Sequence, residues 1–142
     1  MTSRIMAAVK GRDTQPELAL RRALHGRGLR FRVNPQHIFG RPDIVNQSKR
    51  LAVFVDGDFW HGNPDDWARR GYESMEAQFR STQRDRWITK LRRNIKRDHE
   101  VNARLRSEDW TVIRVWTSEI RDDLDGVVDR IVTVWEPETR SR

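Results

Sequence analysis

The amino-acid sequence predicts an α/β domain, a mixed β-sheet flanked by helices, because helix-like and strand-like segments follow the order α-β-β-β-α-β-α. Two observations carry most of this prediction. After a turn at 47–49, the run 50–56 alternates, with Leu51, Val53 and Val55 on one face, as in a β-hairpin. A helix-like stretch, 83–107, then precedes the β-prone run WTVIRVW at 110–116. With 142 residues, the chain is long enough for one domain with a buried core.

Start and stop signals give the remaining elements. Thr14-Gln15-Pro16-Glu17 has the form of a capping box, and Gly26 is a typical helix stop, so a helix is predicted at 15–25. A basic arm at 1–13 with a short helix at 5–9 precedes it. The other predicted elements are strands at 29–33 and 43–46, a partly helical excursion at 63–84, and a closing amphipathic helix at 122–135 whose apolar positions include Val134.

Composition narrows the function classes. The chain has no cysteine, which excludes disulfides, thiolate nucleophiles and cysteine-ligated zinc. No apolar run is long enough to cross a membrane, and the start lacks a signal-peptide core, so a cytoplasmic, nucleoid-associated location is expected. The net charge is +7, and the segment 80–106 carries the same excess, with ten basic residues against three acidic ones. This segment favours a polyanionic partner over a merely solvated helix face.

Oxygen donors are predicted to meet at one end of the hairpin. Asp43 enters the first strand, and the second strand returns Val55 and Asp56 to the same end. A carboxylate and a backbone carbonyl are hard ligands that suit Mg²⁺. His61 follows within a few residues and is placed to transfer a proton. Taken alone, Asp43 is equally consistent with a turn aspartate, and Glu17 with either a capping residue or a carboxylate aimed at the interior.

Aromatic and basic side chains near this site suggest contact with DNA. Phe59 and Trp60 are adjacent, and rings in such a loop either pack on a core or enter a base stack. One stripe of the long helix combines an aromatic ring, two cations and an amide, which suits a DNA-reading edge. The stripe contains Trp87, Lys90, Asn94 and Arg97. Asp98 and Asn102 lie near the apolar stripe instead, where a structural bond to a strand or to the region of His61 is expected.

From about Ser3 to Ile120, these motifs together resemble the Vsr family of DNA mismatch endonucleases, which have the PD-(D/E)xK nuclease fold. The ordered matches are specific. They include Gly40-Arg41-Pro42-Asp43, Phe59-Trp60-His61 and Trp87-x-x-Lys90-x-x-x-Asn94-x-x-Arg97-Asp98.

The resemblance implies Mg²⁺-dependent hydrolysis of one strand of double-stranded DNA, 5′ to the thymine of a T·G mismatch left by deamination of 5-methylcytosine. It implies one or two Mg²⁺ bound by Asp43 and the Val55 carbonyl, with Glu17 acting through water. Asp56 completes the predicted catalytic set, and His61 assists proton transfer.

The same resemblance implies the DNA contacts. The rings of Phe59, Trp60 and Trp87 intercalate beside the mismatch, while Lys90 and Asn94 contact it. The arm at 1–13 grips the opposite groove. Within the arm and the long helix, Met6, Arg12 and Arg97 complete the predicted DNA-binding set.

Two departures from the family pattern stand out. Family members commonly hold a structural zinc near this loop, but Asp58, Asn63 and Ser118 stand where its ligands would be expected. No zinc is therefore predicted, and the loop must be braced otherwise, with Trp67 and Tyr72 as candidates. The excursion at 63–84 also differs and adjoins the recognition face.

Alternatives remain open at the level of sequence. The same nuclease could cut another lesion, modified DNA or a restriction-type site, or the chain could be a non-catalytic DNA-binding module on a nuclease scaffold. A monomer is expected, since no surplus apolar stripe asks for a partner. Mismatch-repair proteins or a cytosine methyltransferase are candidate partners, and the sequence leaves that choice open.

Overall fold

A computed structural model describes residues 14–136 and agrees with the predicted class of fold. The described helices are α1 (Gln15–Gly26), α2 (Pro64–Arg69), α3 (Arg84–Ser107), α4 (Thr117–Asp122) and α5 (Leu124–Trp135), with a single 3₁₀ turn at Glu76–Gln78. The strands are β1 (Arg32–Val33), β2 (Ile44–Asn46), β3 (Leu51–Asp56) and β4 (Thr111–Trp116). The predicted arm at 1–13, with Met6 and Arg12, lies outside the described residues.

The four strands form one mixed sheet in the order β1-β2-β3-β4. The strand β2 pairs antiparallel with both β1 and β3, and Ile44 lies opposite Val53 in the predicted hairpin. The strand β4 pairs parallel with β3 along its whole length. A parallel neighbour needs a long connection, and here that connection contains the excursion and α3. Among residues 14–136, no helix is long and apolar enough to span a membrane.

The core lies on both faces of β3, as the alternation of its side chains predicts. Leu51, Val53 and Val55 join a cluster with α1, α4 and α5. Ala52 and Phe54 join a second cluster on the other face, with residues of α3 and β4. Since every residue of β3 is buried, this strand is a rigid centre whose carboxyl end can hold polar side chains in fixed positions.

Three details of the sequence prediction are wrong. The strand expected at 29–33 shrinks to Arg32–Val33, because Leu29 turns into the core and β1 is an exposed edge. Helix α4 was not predicted, because its N-cap is Trp116 rather than a serine or threonine; Glu119 accepts a hydrogen bond from the backbone N–H of Trp116 at 2.9 Å. In α5, Val134 is exposed and Trp135 packs in the core.

The loop before β2 is seated against α3 by a glycine. Gly40 has φ +81, and a Cβ at this position would collide with the Val101 side chain of α3. Only glycine combines this backbone conformation with so close an approach. The motif that carries Asp43 therefore has a fixed position relative to α3.

Candidate active site

Asp43 is held at the end of the hairpin by the backbone of β3. Its Oδ2 accepts a hydrogen bond from the Val55 N–H at 2.6 Å, and its own N–H donates to the Val53 carbonyl at 2.9 Å. Burial, helped by the charges of Glu17 and Asp56, raises the pKa of Asp43 to about 7, although the Val55 hydrogen bond opposes this shift. Among residues 14–136, the charges of Glu17 and Asp56 raise this pKa and that of Arg21 lowers it, so the site gathers carboxylates.

Glu17 combines the two roles left open by the sequence. Its Oε1 accepts a hydrogen bond from the Thr14 N–H at 3.3 Å, which closes the start of α1. It is nevertheless buried, and its charge is close enough to raise the pKa of Asp43. Arg21, one turn further along α1, lies 3.7 Å from the same carboxylate. The capping residue therefore also contributes to the acidic site.

His61 lies close to Asp56, the last residue of β3. Its Nδ1 lies 3.8 Å from Asp56 Oδ1 and 2.5 Å from Asp98 Oδ2, so the structural bond expected of Asp98 is confirmed. Burial alone would lower the pKa of His61, but the Asp98 hydrogen bond and the charge of Asp56 outweigh it and raise the pKa. With Nδ1 engaged by Asp98, the proton on Nε2 is the one that His61 can exchange with a substrate.

Asp56 was predicted as a catalytic carboxylate, and the structure shows it bonded to Arg114. Both of its oxygens accept from Arg114 Nη1, at 3.0 and 3.1 Å. Burial raises the pKa of Asp56, while His61 and Arg114 oppose this shift. Asp56, His61 and Asp98 have ligand atoms within 4.8 Å of one another, but the guanidinium already supplies a cation there.

Arg114 is the residue that sequence reasoning missed. Its Nε donates to Asn102 Oδ1 at 2.6 Å, and its Nη1 lies 3.4 Å from Asp98 Oδ1. Arg114 of β4 is thereby connected to Asn102 and Asp98 of α3, and Asp98 is the residue that holds His61. A lone charge inside the otherwise apolar run WTVIRVW was the available signal, since an arginine buried in a strand needs a partner.

The predicted aromatic residues form a cluster just beyond β3. Ring centroids lie 5.0 Å apart for Phe59 and Trp60, and 5.8 Å apart for Trp60 and Trp87. Phe79, from the excursion, packs 5.9 Å from Phe59. Phe59, Trp60 and Trp87 are each only partly buried. The cluster is therefore packed within the protein yet accessible to a large ligand beside His61.

The basic stripe of α3 divides between two places. Lys90 Nζ lies 4.6 Å from the ring centroid of Trp60, and Asn94 Nδ2 donates to the Trp60 carbonyl at 3.1 Å. Both residues thus adjoin the aromatic cluster. The guanidinium of Arg97 instead lies 5.4 Å from the ring centroid of Phe39, outside the cluster.

The loop between β3 and α2 is braced by Asp58, where the family pattern would place a zinc ligand. Asp58 Oδ1 accepts from the Ser118 N–H at 3.1 Å and from the Thr117 hydroxyl at 3.0 Å, and Oδ2 accepts from Asn63 Nδ2 at 3.4 Å. Asn63 Oδ1 in turn accepts from the Asp65 N–H. Burial alone would raise the pKa of Asp58, but these hydrogen bonds lower it. The role predicted for Trp67 and Tyr72 stays a prediction.

These donors do not fit a zinc ion. Structural zinc sites use thiolates and imidazoles, whereas this cluster offers one carboxylate whose oxygens are already hydrogen-bonded, an amide and the hydroxyls of Thr117 and Ser118. The cluster links the loop to the junction of β4 and α4, which is the connection that a bound metal would otherwise make.

A fold that brings carboxylates and a histidine to one strand end, beside partly exposed rings and a basic helix, is that of a nucleic-acid hydrolase. Residues 1–69 match the family model described as DNA mismatch endonuclease Vsr. Type II nicking enzyme V.NmeDIP of Neisseria meningitidis serogroup C is 44% identical over 115 residues, which cover 81% of this chain and 72% of that protein.

Two further relatives cover the chain as broadly. Type II nicking enzyme V.NaeI of Lentzea aerocolonigenes is 38% identical over 135 residues, 91% of this chain and 75% of that protein. DNA mismatch endonuclease Vsr of Escherichia coli strain K12 is 33% identical over 119 residues, 84% of this chain and 70% of that protein. The chain therefore belongs to the DNA mismatch endonuclease Vsr family and is a DNA endonuclease.

Proposed function

We propose that this endonuclease nicks one strand of duplex DNA at a T·G mismatch, on the 5′ side of the thymine, and that it requires Mg²⁺. One observation carries the proposal. Asp43 contacts Val55, and His61 lies close to Asp56, the next residue of β3. The aromatic cluster follows directly in the chain. A cation site, a proton donor and rings that can enter a base stack thus lie along a single short segment.

The acidic side of the site fits Mg²⁺. Its donors are oxygens, the ligands that this ion prefers. Burial first, and then the charges of Glu17 and Asp56, raise the pKa of Asp43, and a bound cation would offset both effects. Asp43 and the Val55 carbonyl would hold one or two ions, with Glu17 acting through water. When bound, the ion supplies Lewis-acid stabilisation of the phosphate and activation of the attacking water.

The histidine side of the site supports proton transfer. The Asp98 hydrogen bond fixes the ring and, with the charge of Asp56, raises the pKa of His61, which favours its protonated form. His61 is therefore suited to donate a proton from Nε2 to the leaving oxygen. Arg114 holds the Asp56 carboxylate in place beside the imidazole, so Asp56 and Arg114 position the proton donor.

The aromatic cluster supports the preference for a mismatch. Inserting a ring between base pairs requires unstacking, at a few kcal/mol per step, and a mispaired step is cheaper to open. Trp60 and Trp87 flank Lys90, so inserted rings would place the ammonium and Asn94 beside the opened pair. Mismatch-repair proteins or a cytosine methyltransferase remain candidate partners.

Nicking assays on three duplexes of otherwise identical sequence test the proposal. With Mg²⁺ present, the duplex that carries a T·G mismatch should be cut in one strand 5′ to the thymine. The fully matched and the 5-methylcytosine duplexes should be cut far more slowly. Equal cutting of all three duplexes would remove the mismatch preference, while failure to cut any of them with Mg²⁺ would remove the whole proposal.

A second target has an observation in its favour. Two of the similar proteins are named type II nicking enzymes, and Phe79 of the excursion packs on Phe59 of the aromatic cluster. The excursion could therefore adapt the cluster to another DNA site. A library of duplexes with random flanking bases, with and without the mismatch, would reveal such a target as mismatch-independent nicks at one sequence.

A further inference from the structure

A polar cleft opens near Asp43, between the loop that precedes β2 and the second half of α3. Its volume is about 660 Å³. Its lining includes Phe39, Arg41, Arg97, Arg104 and Glu108. Three of these side chains are guanidiniums and one is a carboxylate, so the cleft concentrates positive charge.

Two of the guanidiniums pack on the ring of Phe39. The Cζ atoms of Arg97 and Arg104 lie 5.4 and 4.1 Å from the ring centroid of Phe39. Two cations on one ring repel each other, and the electron-rich face of the ring offsets only part of this repulsion. An anion in the cleft would remove the rest. Arginine forks suit phosphate oxygens especially well.

The cleft continues the DNA-reading stripe of α3. Lys90, Arg97 and Arg104 follow one another at intervals of seven residues, which keeps them on nearly the same side of a helix. At 1.5 Å per residue, the distance from Lys90 to Arg104 is about 21 Å. This distance corresponds to roughly six base pairs of duplex.

The cleft is also tied to the catalytic residues along the chain. Arg41 precedes Asp43 by two residues, and Arg97 directly precedes Asp98, the partner of His61. Gly40, which lines the cleft, is fixed against α3 by its contact with Val101. The residues that line the cleft are therefore connected through short stretches of chain to Asp43 and to Asp98.

We propose that this cleft binds a backbone phosphate of the DNA substrate, several base pairs from the bond that is cut. The proposal deepens, and rests on, the proposed action on duplex DNA. Arg97 and Arg104, which both pack on the ring of Phe39, supply the phosphate contacts. Arg41 contributes a third guanidinium to the lining of the cleft. Glu108, whose Oε2 lies 3.3 Å from Arg104 Nε, is the acidic group that the phosphate displaces.

The first test is the salt dependence of duplex binding, measured without divalent cations so that no DNA is cut. Each phosphate contact contributes about 0.9 to the slope of log affinity against log salt. Arg97→Gln and Arg104→Gln should each flatten the slope by about one unit. Raising the salt from 50 to 200 mM weakens binding by the wild type and by each variant. The fold loss of affinity should be about three times smaller for the variant than for the wild type.

The same helix offers a matched control. Arg106→Gln removes one charge two residues from Arg104, but on the far side of α3, since each residue turns a helix by about 100°. It should leave the slope nearly unchanged. Glu108→Gln should act in the opposite direction and tighten binding, because it removes the carboxylate that competes with the phosphate.

A second test locates the phosphate. Single neutral methylphosphonate linkages are placed in turn along each strand of a T·G duplex. At one position, roughly six base pairs from the mismatch, the neutral linkage should weaken binding by the wild type several-fold. The effect should be smaller in Arg104→Gln, because this variant has already lost one of the two guanidiniums that contact the phosphate.

Two results would overturn the proposal, and they differ. If Arg97→Gln and Arg104→Gln keep the wild-type salt slope, with or without a lower melting temperature, the arginines only pack on Phe39. The cleft proposal then fails while the nicking function stands. If the wild type itself binds no duplex, the cleft and the proposed function fail together.

Discussion

Two aspartates flank the end of β3 and differ in what surrounds them. Asp43 lies among the carboxylates of Glu17 and Asp56, and burial raises its pKa to about 7. Asp58 accepts hydrogen bonds from Ser118, Thr117 and Asn63, and these neutral donors lower its pKa despite burial.

The surroundings of the two carboxylates differ, and we propose that Asp43 binds a cation whereas Asp58 does not. Neutral donors lower the pKa of Asp58 and tie its loop to Thr117 and Ser118, so the absence of a zinc ion there stays a prediction. Asp43 is instead buried beside the like charges of Glu17 and Asp56, where we propose that a divalent ion binds. The same residue type thus makes a structural connection on one side of the strand end, and on the other side it is the residue that we propose binds the metal.

Replacing Asp43 should have the largest effect on activity. Asp43→Asn removes the charge that we expect to hold the ion, whose contribution is several kcal/mol, so nicking of a T·G duplex should fall by roughly a thousandfold or more. Binding of the duplex in a gel-shift assay should persist, since the basic stripe is intact. Unchanged nicking would refute the metal-binding role of Asp43.

The same variant should gain stability without metal. An aspartate in the unfolded chain ionises near 3.8, whereas Asp43 in the folded protein keeps its proton up to about pH 7. The folded state therefore binds more protons in this interval, and stability falls as the pH rises through it, by about 4 kcal/mol at most. Urea unfolding at pH 5 and pH 8 should show this loss for the wild type but not for Asp43→Asn.

Replacing His61 should have the next largest effect. Proton transfer by a positioned side chain contributes roughly 10²–10⁴-fold, so His61→Gln should reduce the nicking rate within that range. His99→Gln, on the exposed surface of α3, is the matched control and should keep the wild-type rate. If the two variants are equally active, His61 has no part in the chemistry.

Replacing Asp58 should affect stability rather than chemistry. Asp58→Ala leaves the donors of Thr117, Ser118 and the buried Asn63 without an acceptor, and should cost about 3 kcal/mol of unfolding free energy. Asp58→Asn should cost less, since an amide oxygen still accepts. Zinc chelators should leave the melting temperature of the wild type unchanged, and a clear drop would mean that the loop holds a metal after all.

Replacing Asp98 should have the smallest effect on rate and a specific effect on pH dependence. The Asp98 hydrogen bond and charge raise the pKa of His61. Asp98→Asn removes the charge and lowers that pKa, so the loss of activity at high pH should begin at a lower pH than in the wild type. A pH–rate profile with the same alkaline limb would show that Asp98 does not tune the imidazole.

The sequence predicted the strand end well because its signals are local. The alternation of side chains in 50–56 predicted the strand of the hairpin and the two faces of β3. The capping box predicted that Glu17 lies in the first turn of α1. The motif Phe59-Trp60-His61 placed aromatic rings beside an imidazole. Each inference needed only neighbours in the chain, so the structure agrees with it.

The parts that sequence could not predict depend on contacts between distant residues. The bond between Arg114 and Asp56 joins residues 58 positions apart, and the Asp58 brace joins positions 58 and 118. Nothing local shows that Arg97 and Arg104 share the ring of Phe39. These contacts follow from the parallel pairing of β3 with β4 and the seating of the Gly40 loop on α3.

The most direct test of the contrast between the two aspartates is calorimetric titration of the protein with Mn²⁺ near pH 6, in buffers of different ionisation enthalpy. Mn²⁺ also favours oxygen ligands. Because Asp43 is largely protonated at that pH, binding should release close to one proton, and release should fade by pH 8 and vanish in Asp43→Asn but not in Asp58→Asn. Binding without proton release, or binding lost only in Asp58→Asn, would contradict the account.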